Sequence, residues 1–271
     1  MTEAIGGLAE VARAFDGVMV DQYGVLHDGR MPFPGARACL EKLHARGTPV
    51  VALTNSGKRA AFNTDRLARL GFPSHLFAGV VSSGELARTE IERRLEAGRL
   101  ERGAGVAIVS RDRDAGVIEG LDVRQVLPGP DADLLVIAGA EPERLDRAQY
   151  RECLAPLAAR GVPAICANPD RLTYAGDGVS FGAGLIAEDY EEAGGTVEMV
   201  GKPGPAMFLA ALGVLGAPPR DRVLMIGDSP EHDIAGAAGL GCATLLIRGG
   251  IQAGTQASGA AADYAMNRLV W

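Results

Sequence analysis

Short apolar runs alternate with helical patterns along almost the whole chain of 271 residues, and this alternation restricts the fold more than any other feature. GVMVD (17–21) precedes a helical pattern at about 34–46, and PVVALTN (49–55) precedes a second one. Each run is continuously apolar, which is typical of strands that are buried on both faces. The sequence therefore predicts an α/β protein with a Rossmann-like, doubly wound parallel sheet.

Similar runs recur to the end of the chain and separate into two groups. The strands that we assign to the main sheet are 17–21, 49–55, 79–83, 197–201, 223–228 and 242–248. A second group in the middle of the chain comprises 105–110, 122–127, 133–140 and 162–168. We therefore predict a core domain formed by 1–83 and 177–271, with an inserted α/β domain at 84–176.

Composition and charge restrict the classes of partner. The net charge is −7 and no long basic run occurs, so neither nucleic acid nor an anionic membrane is an expected partner. The N-terminal segment lacks the basic flank of a signal peptide, and no apolar run is long enough to cross a bilayer. We expect a cytoplasmic protein that acts on a small molecule, and a homo-oligomer is compatible with this composition.

Polar residues stand at the carboxyl ends of several predicted core strands. Ligands of open parallel sheets bind at that edge. The residues found there are Asp21, Thr54, Asn55, Ser56, Lys202, Asp228 and Asp233. They are far apart in the sequence, yet the predicted sheet places them on one rim.

These residue types suit phosphoryl transfer. Asp21 is a candidate nucleophile toward phosphorus. Asp21 and Asp228 could hold one Mg²⁺, and Asp233 could bind the ion directly or through a water molecule. Lys202 could bind the phosphate and restrain Asp21. Thr54 and the backbone N–H groups that follow it could hold the transferring oxygens, although helix capping would use the same groups.

Four segments resemble the motifs of the haloacid dehalogenase (HAD) superfamily. They are DQYGVLHDG (21–29), LTNSGKR (53–59), GKPGPAMF (201–208) and GDSPEHDIAGA (227–237). Their order and spacing are similar to those of the class IIA branch, the sugar- and nucleotide-phosphatase-like enzymes. In that branch a large α/β cap is inserted between the second and third motifs. The resemblance implies a Mg²⁺-dependent hydrolase of a small phosphorylated metabolite that works through an aspartyl-phosphate intermediate.

The resemblance also implies a role for each matching residue. Asp21 matches the nucleophile, Thr54 the hydroxyl of the second motif and Lys202 the lysine of the third. Asp228 and Asp233 match the metal-binding acids of the fourth. The predicted site consists of catalytic Asp21, Tyr23 and Lys202, substrate-binding Thr54, Asn55, Ser56 and Lys202, and the Mg²⁺ ligands Asp21, Tyr23, Asp228 and Asp233.

Tyr23 departs from the family pattern. Phosphatases that resemble this chain usually have an aspartate there, which protonates the leaving group and whose carbonyl binds Mg²⁺. Tyr23 can supply the carbonyl, but its phenol, with an ordinary pKa near 10, is a poor substitute for the acid. A slow phosphatase is therefore expected. His27, in the same segment, is expected to be a hydrogen-bonded structural residue.

Two alternatives stay open because of Tyr23. A 2-haloacid dehalogenase-like hydrolase also has an Asp-x-Tyr first motif and would use Asp21 on carbon, without a metal. A catalytically weak phosphate-binding or regulatory protein would keep the site without effective turnover. Against the dehalogenase stand Asp228 and Asp233, because a metal-holding acid pair suits a phosphate better than a neutral carbon centre.

Overall fold

The computed structural model describes residues 2–175, 178–249 and 261–271, and three β-sheets organise them. The strands in these residues are β1 (Glu3–Ala4), β2 (Gly17–Asp21), β3 (Val50–Thr54), β4 (Gly79–Ser82), β5 (Ala104–Val109), β6 (Val123–Val126), β7 (Leu134–Ile137), β8 (Pro163–Cys166), β9 (Leu172–Ala175), β10 (Gly178–Phe181), β11 (Thr196–Met199), β12 (Val223–Gly227), β13 (Ala243–Ile247) and β14 (Tyr264–Met266). The α-helices are α1 (Ala36–Ala45), α2 (Ala60–Arg69), α3 (Ser83–Glu96), α4 (Arg147–Ala159), α5 (Ala183–Glu192), α6 (Pro205–Val214) and α7 (Ala235–Ala238). Among the described helices, none has the length and apolar character needed to span a membrane.

The first sheet has seven strands in the order β1-β14-β13-β12-β2-β3-β4. Its central strands β13, β12, β2 and β3 pair in parallel, and every residue of β2 and β12 is buried. On one face, Val18 and Val20 of β2 belong to the same apolar cluster as Leu40 and Leu43 of α1. The continuous apolar runs read from the sequence thus correspond to buried parallel strands, as expected for this sheet type.

The chain divides into two compact units, which differ in extent from the predicted domains. The first unit comprises Met1–Thr54, Ala61–Val81 and Lys202–Trp271, and the second comprises Asn55–Ala60 and Ser82–Gly201. We predicted that the inserted domain ends at 176. The second unit extends further because α5 packs on α4, where Ile186 and Tyr190 of α5 share an apolar cluster with Leu154 of α4.

The second unit has its own five-stranded sheet in the order β11-β8-β7-β5-β6. β11 corrects one prediction, because we assigned 197–201 to the main sheet and the structure pairs β11 in parallel with β8. That assignment was wrong because a short apolar run does not reveal which strand it pairs with. The antiparallel pair β9–β10 was also missed, since the sequence at 170–180 is polar and showed no clear strand pattern.

Both faces of this second sheet are covered by apolar side chains. Leu135 and Ile137 of β7 pack into one cluster with residues of α4 and α5. Leu134 and Val136, which point to the opposite face, pack into another cluster with Ile91 of α3. Successive residues of a strand point to opposite faces, so four consecutive apolar residues are what a doubly covered strand requires.

Candidate active site

Neighbouring strands of the first sheet bring Asp21 and Asp228 together. β12 lies beside β2 in parallel. Asp21 is the last residue of β2 and Asp228 directly follows β12, so both leave the sheet at the same edge. On the other side of β2, Leu53 of β3 is in register with Asp21, which places Thr54 at this edge as well. Because these strands are adjacent, Asp21, Thr54 and Asp228 lie at one edge of the sheet, as the sequence predicts.

Asp233 reaches the same place from the turn that follows β12. Pro230–Ile234 form a short turn with π-type hydrogen bonding, and the Asp233 carboxylate accepts the N–H of Ser229 at 3.1 Å. Gly227 permits the close approach, because a Cβ at this position would lie 2.2 Å from Cβ of Asp233. Turns of this type often occur at functional sites. The Asp233 side chain is consequently fully buried beside the end of β12.

Asp21, Asp228 and Asp233 form a cluster that fits a divalent cation. Each offers a carboxylate oxygen, and these three oxygens lie within 4.8 Å of one another. The residues are 7%, 8% and 0% exposed. Oxygens on one Mg²⁺ lie up to about 4 Å apart, since each Mg–O distance is about 2.0–2.1 Å, and the 4.8 Å limit of this cluster is close to that spacing. Buried carboxylates also repel one another, so a bound cation would stabilise this arrangement.

Lys202 lies across two of these acids. Its Nζ donates to Asp21 Oδ1 at 2.5 Å and to Asp233 Oδ1 at 2.7 Å, in a buried environment. Burial alone would lower the pKa of Lys202, but the carboxylates of Asp21 and Asp233 outweigh it and raise that pKa above its usual value. The ammonium therefore stays charged. Although the preceding strand β11 belongs to the second sheet, Lys202 itself opens the last segment of the first unit.

The protonation of Asp21 depends on the charges around it. Burial raises the pKa of Asp21 well above its ordinary value, Lys202 counteracts this, and Asp233 and Asp228 add to it. A carboxylate is nucleophilic only when it is ionised. A cation among the three acids would favour the ionised form, because an opposite charge nearby stabilises it. The cluster thus contains a candidate nucleophile, Asp21, and a nearby positive charge would activate it by favouring its ionised form.

Gly24 packs against Asp228 and offers a test of this geometry. Its φ is +92°, and a Cβ at this position would lie 2.0 Å from Asp228 Oδ2. We expect Gly24→Ala to displace Asp228 and to weaken Mg²⁺ binding by about 10- to 100-fold, the usual effect of disturbing a ligand's support. Titration calorimetry with Mg²⁺ measures this.

Gly47→Ala is the matched control for Gly24→Ala. Gly47 also lies in the first unit and has a φ of +73°, but a Cβ there would meet no atom within 4 Å. It should lose about 1 kcal/mol of stability through backbone strain and keep its Mg²⁺ affinity. Equal Mg²⁺ affinities for the two variants would contradict the assignment of Asp228 as a ligand.

The side chains of Asn55 and Ser56 are engaged within the second unit. Asn55 Nδ2 donates to Asp170 Oδ1 at 2.8 Å, and Asn55 Oδ1 accepts the Ser83 hydroxyl at 3.4 Å. Ser56 Oγ accepts the N–H of Lys58 at 3.3 Å. The sequence prediction did not anticipate these contacts.

Tyr23 lies in the loop that follows β2. The sequence indicated this residue as part of the site, but not all of its neighbours. Its ring is half-buried and meets the ring of His27 edge-on, with 5.9 Å between centroids. A Cβ at Gly29 would lie 2.9 Å from Tyr23 Cε2 and 3.6 Å from Nη2 of Arg66. Arg66 was not predicted, because nothing distinguishes it from other arginines on the polar face of a helix.

Known proteins are similar to this chain over most of its length. A haloacid dehalogenase-like hydrolase model matches residues 18–124, and a HAD-hydrolase-like model matches residues 199–270. Chronophin of Homo sapiens is 30% identical over 263 residues, with 90% of this chain and 84% of chronophin covered. The matched segments include Asp21, Thr54, Lys202 and Asp228.

Solved structures are similar to the whole fold. A hydrolase of the haloacid dehalogenase-like family from Brucella suis 1330 has a TM-score of 0.86 and 29% identity, with 100% of both chains covered. Glycerol phosphate phosphatase from Mycobacterium tuberculosis, solved in complex with magnesium, has a TM-score of 0.65 and 26% identity, with 87% of this chain and 69% of that chain covered.

Proposed function

Since this chain belongs to the haloacid dehalogenase-like hydrolases, we propose that it is a Mg²⁺-dependent phosphatase of a small phosphorylated metabolite. The observation that carries the proposal is the buried cluster of Asp21, Asp228 and Asp233 with Lys202 across two of its members. The mycobacterial relative supports it, because that protein is a glycerol phosphate phosphatase and was solved with magnesium.

Asp21 is the proposed nucleophile. Lys202 holds Oδ1 of Asp21, which leaves Oδ2 to attack phosphorus. As the bond between Oδ2 and phosphorus forms, the bond between phosphorus and the ester oxygen breaks, and the leaving group departs as an oxyanion that takes a proton from solvent. Water then attacks the phosphorus of the aspartyl phosphate, which releases phosphate and regenerates the carboxylate. Throughout, the charge of Lys202 offsets the repulsion between the carboxylate and the phosphate.

Asp21, Asp228 and Asp233 would hold the Mg²⁺, together with the backbone carbonyl of Tyr23. The bound ion supplies charge neutralisation, which lets a phosphate dianion approach a carboxylate. Gly24 contributes by leaving room for the Asp228 carboxylate. The three carboxylates and Gly24 all belong to the first unit, which supports a metal site that this unit provides alone.

The phosphate would be held by the residues that follow β3. Thr54 supplies a hydroxyl, and Asn55 and Ser56 supply backbone N–H groups to the transferring oxygens. We assign the second unit, Ser82–Gly201 with Asn55–Ala60, the role of a cap that selects the substrate. A unit with its own sheet and its own apolar clusters suits such a role, because it can vary without disturbing the catalytic sheet.

Hydrolysis of phenyl phosphate tests the proposed function against its two rivals. We expect the protein with Mg²⁺ to release inorganic phosphate and to release no chloride from 2-chloropropionate. Chloride release without a metal would favour the dehalogenase-like reaction on carbon. Binding of inorganic phosphate with no turnover of either compound would favour a binding or regulatory protein.

Tyr23 leads to a prediction about the leaving group. Because residue 23 is not a carboxylic acid, the alcohol must depart largely unprotonated, and the rate should rise as the pKa of the alcohol falls. A positioned acid usually contributes about 10²–10⁴-fold. We therefore expect kcat/KM for phenyl phosphate to exceed that for ethyl phosphate at least ~10-fold. Equal values across aryl and alkyl phosphates would mean that another residue supplies the proton.

A further inference from the structure

Arg66 is a half-buried cation to which the described residues offer no acidic partner. Burial lowers the pKa of its guanidinium, and the nearby Tyr23 partly counteracts this. Within the part of the chain that the structure describes, no carboxylate forms an ion pair or hydrogen bond with Arg66. Other partly buried arginines are paired: Arg59 with Glu85 at 2.7 Å and Arg94 with Glu90 at 2.9 Å. A guanidinium that loses water without gaining an acceptor is unfavourable unless it serves to bind an anion.

His27, whose Nδ1 bonds to the backbone of Gly29, provides a second donor that the described residues leave without a partner. It is 1% exposed, and its Nδ1 accepts the N–H of Gly29 at 3.0 Å, which places the ring proton on Nε2. Across the described residues, this buried Nε2 has no hydrogen-bond partner.

The position of Gly29 connects these donors to the nucleophile's loop. A single Cβ at Gly29 would touch both Tyr23 Cε2, at 2.9 Å, and Arg66 Nη2, at 3.6 Å. The guanidinium therefore lies beside the Tyr23 ring, two residues after Asp21.

We propose that Arg66, His27 and Tyr23 form an anion subsite, and that the substrate carries a second anionic group on its organic part. This rests on the proposed phosphatase function and specifies its substrate class. The Arg66 fork would bind two oxygens of a carboxylate or a second phosphate, and His27 Nε2–H and the Tyr23 hydroxyl would donate to them. Tyrosine suits this role better than aspartate at position 23, because an aspartate would itself pair with Arg66 and repel the anion.

Three aryl phosphates test the subsite: phenyl phosphate, 3-carboxyphenyl phosphate and 1,3-phenylene bisphosphate. We expect the native protein with Mg²⁺ to prefer at least one of the two probes that carry a second anionic group. The preference should be about 10- to 100-fold in kcat/KM and should come from a lower KM. The probe with the larger preference identifies the group as carboxylate or phosphate. Arg66→Gln should remove the preference, and Arg66→Lys, which keeps the charge but loses the fork, should retain part of it.

Arg69→Gln is the matched control, since Arg69 lies one turn further along α2 and is exposed. This variant should keep the preference. Equal kcat/KM for all three probes in the native protein would overturn the subsite. An equal loss of kcat/KM on all three probes in Arg66→Gln would also overturn it. That result would indicate that Arg66 supports the loop after β2 or binds the transferring phosphate.

Calorimetric titration of the same probes separates this proposal from the phosphatase function. If native protein hydrolyses none of them, the proposed function fails, and binding alone then decides the subsite. Tighter binding of a probe with the second anionic group by native protein, but not by Arg66→Gln, supports the subsite. Equal binding of all three probes by the native protein contradicts it. If Arg66→Gln does not fold, as judged by circular dichroism, Arg66→Lys takes its place: a preference smaller than that of the native protein supports the subsite, and an undiminished preference contradicts it.

Discussion

Replacing Asp21 by asparagine is expected to abolish phosphate release, with a loss of at least ~10⁴-fold in kcat, as for the removal of other nucleophiles. The amide has nearly the same shape as the carboxylate but is a far weaker nucleophile. Stability should not fall. Burial and the two neighbouring carboxylates raise the pKa of Asp21, so its charge is unfavourable in the folded protein. Asp21→Asn removes that charge and leaves Lys202 bonded to Asp233.

Steady-state kinetics on phenyl phosphate and thermal unfolding without added metal measure the two effects. Asp221→Asn is the matched control, because Asp221 is exposed in the turn before β12 and makes the same chemical change away from the cluster. It should keep both activity and stability. Residual turnover by Asp21→Asn within tenfold of native would exclude Asp21 as the nucleophile, and a large loss of stability would leave the kinetic result open to misfolding.

Removing divalent cations is the second change for which we expect a large effect. Treatment with EDTA should reduce the turnover of phenyl phosphate by at least ~10³-fold, and Mg²⁺ should restore it, because a bound cation typically supplies several kcal/mol of charge stabilisation. The physical reason here is the buried cluster of Asp21, Asp228 and Asp233, in which Lys202 bonds to two of the three carboxylates.

A measurement that does not depend on turnover accompanies the EDTA experiment. At a Mg²⁺ concentration 100-fold above Kd, the free energy of unfolding should rise by about 2.7 kcal/mol. Asp228→Asn should remove most of this increase, whereas Asp221→Asn should show it in full. Undiminished turnover of phenyl phosphate in EDTA, together with no stabilisation by Mg²⁺, would show that phosphate release needs no metal and would contradict the Mg²⁺-dependent mechanism.

The sequence predicted the central strands well because their signal is local. Runs such as GVMVD and VLMIG are continuously apolar, and burial on both faces of a parallel sheet requires that pattern. The pairing of β11 could not be predicted in the same way. Its few residues carry no information about which strand lies beside them, and the packing of α5 in the second unit determines the outcome. The short edge strand Glu3–Ala4 has no recognisable pattern at all.

The sequence likewise indicated some residues of the candidate site and not others. Asp21 and Asp228 stand directly at the ends of strong strand patterns, so the sequence indicated their proximity. Arg66 and His27 were not identified as binding residues, because their significance lies in missing partners, and a missing hydrogen bond is a property of the folded structure alone. Tyr23 was recognised as unusual, but only its position beside Arg66 suggests a reason for the tyrosine.

Chemical trapping of the phosphorylated enzyme tests whether Asp21 carries the phosphoryl group during turnover. The protein is mixed with 3-carboxyphenyl phosphate and Mg²⁺, quenched in acid during the first turnovers, and reduced with borohydride, which converts an aspartyl phosphate to homoserine. Mass spectrometry of the peptide that contains Asp21 then locates the modification. We expect homoserine at position 21 in the native protein and none in Asp21→Asn. Phosphate release with unmodified Asp21 at every quench time would contradict it.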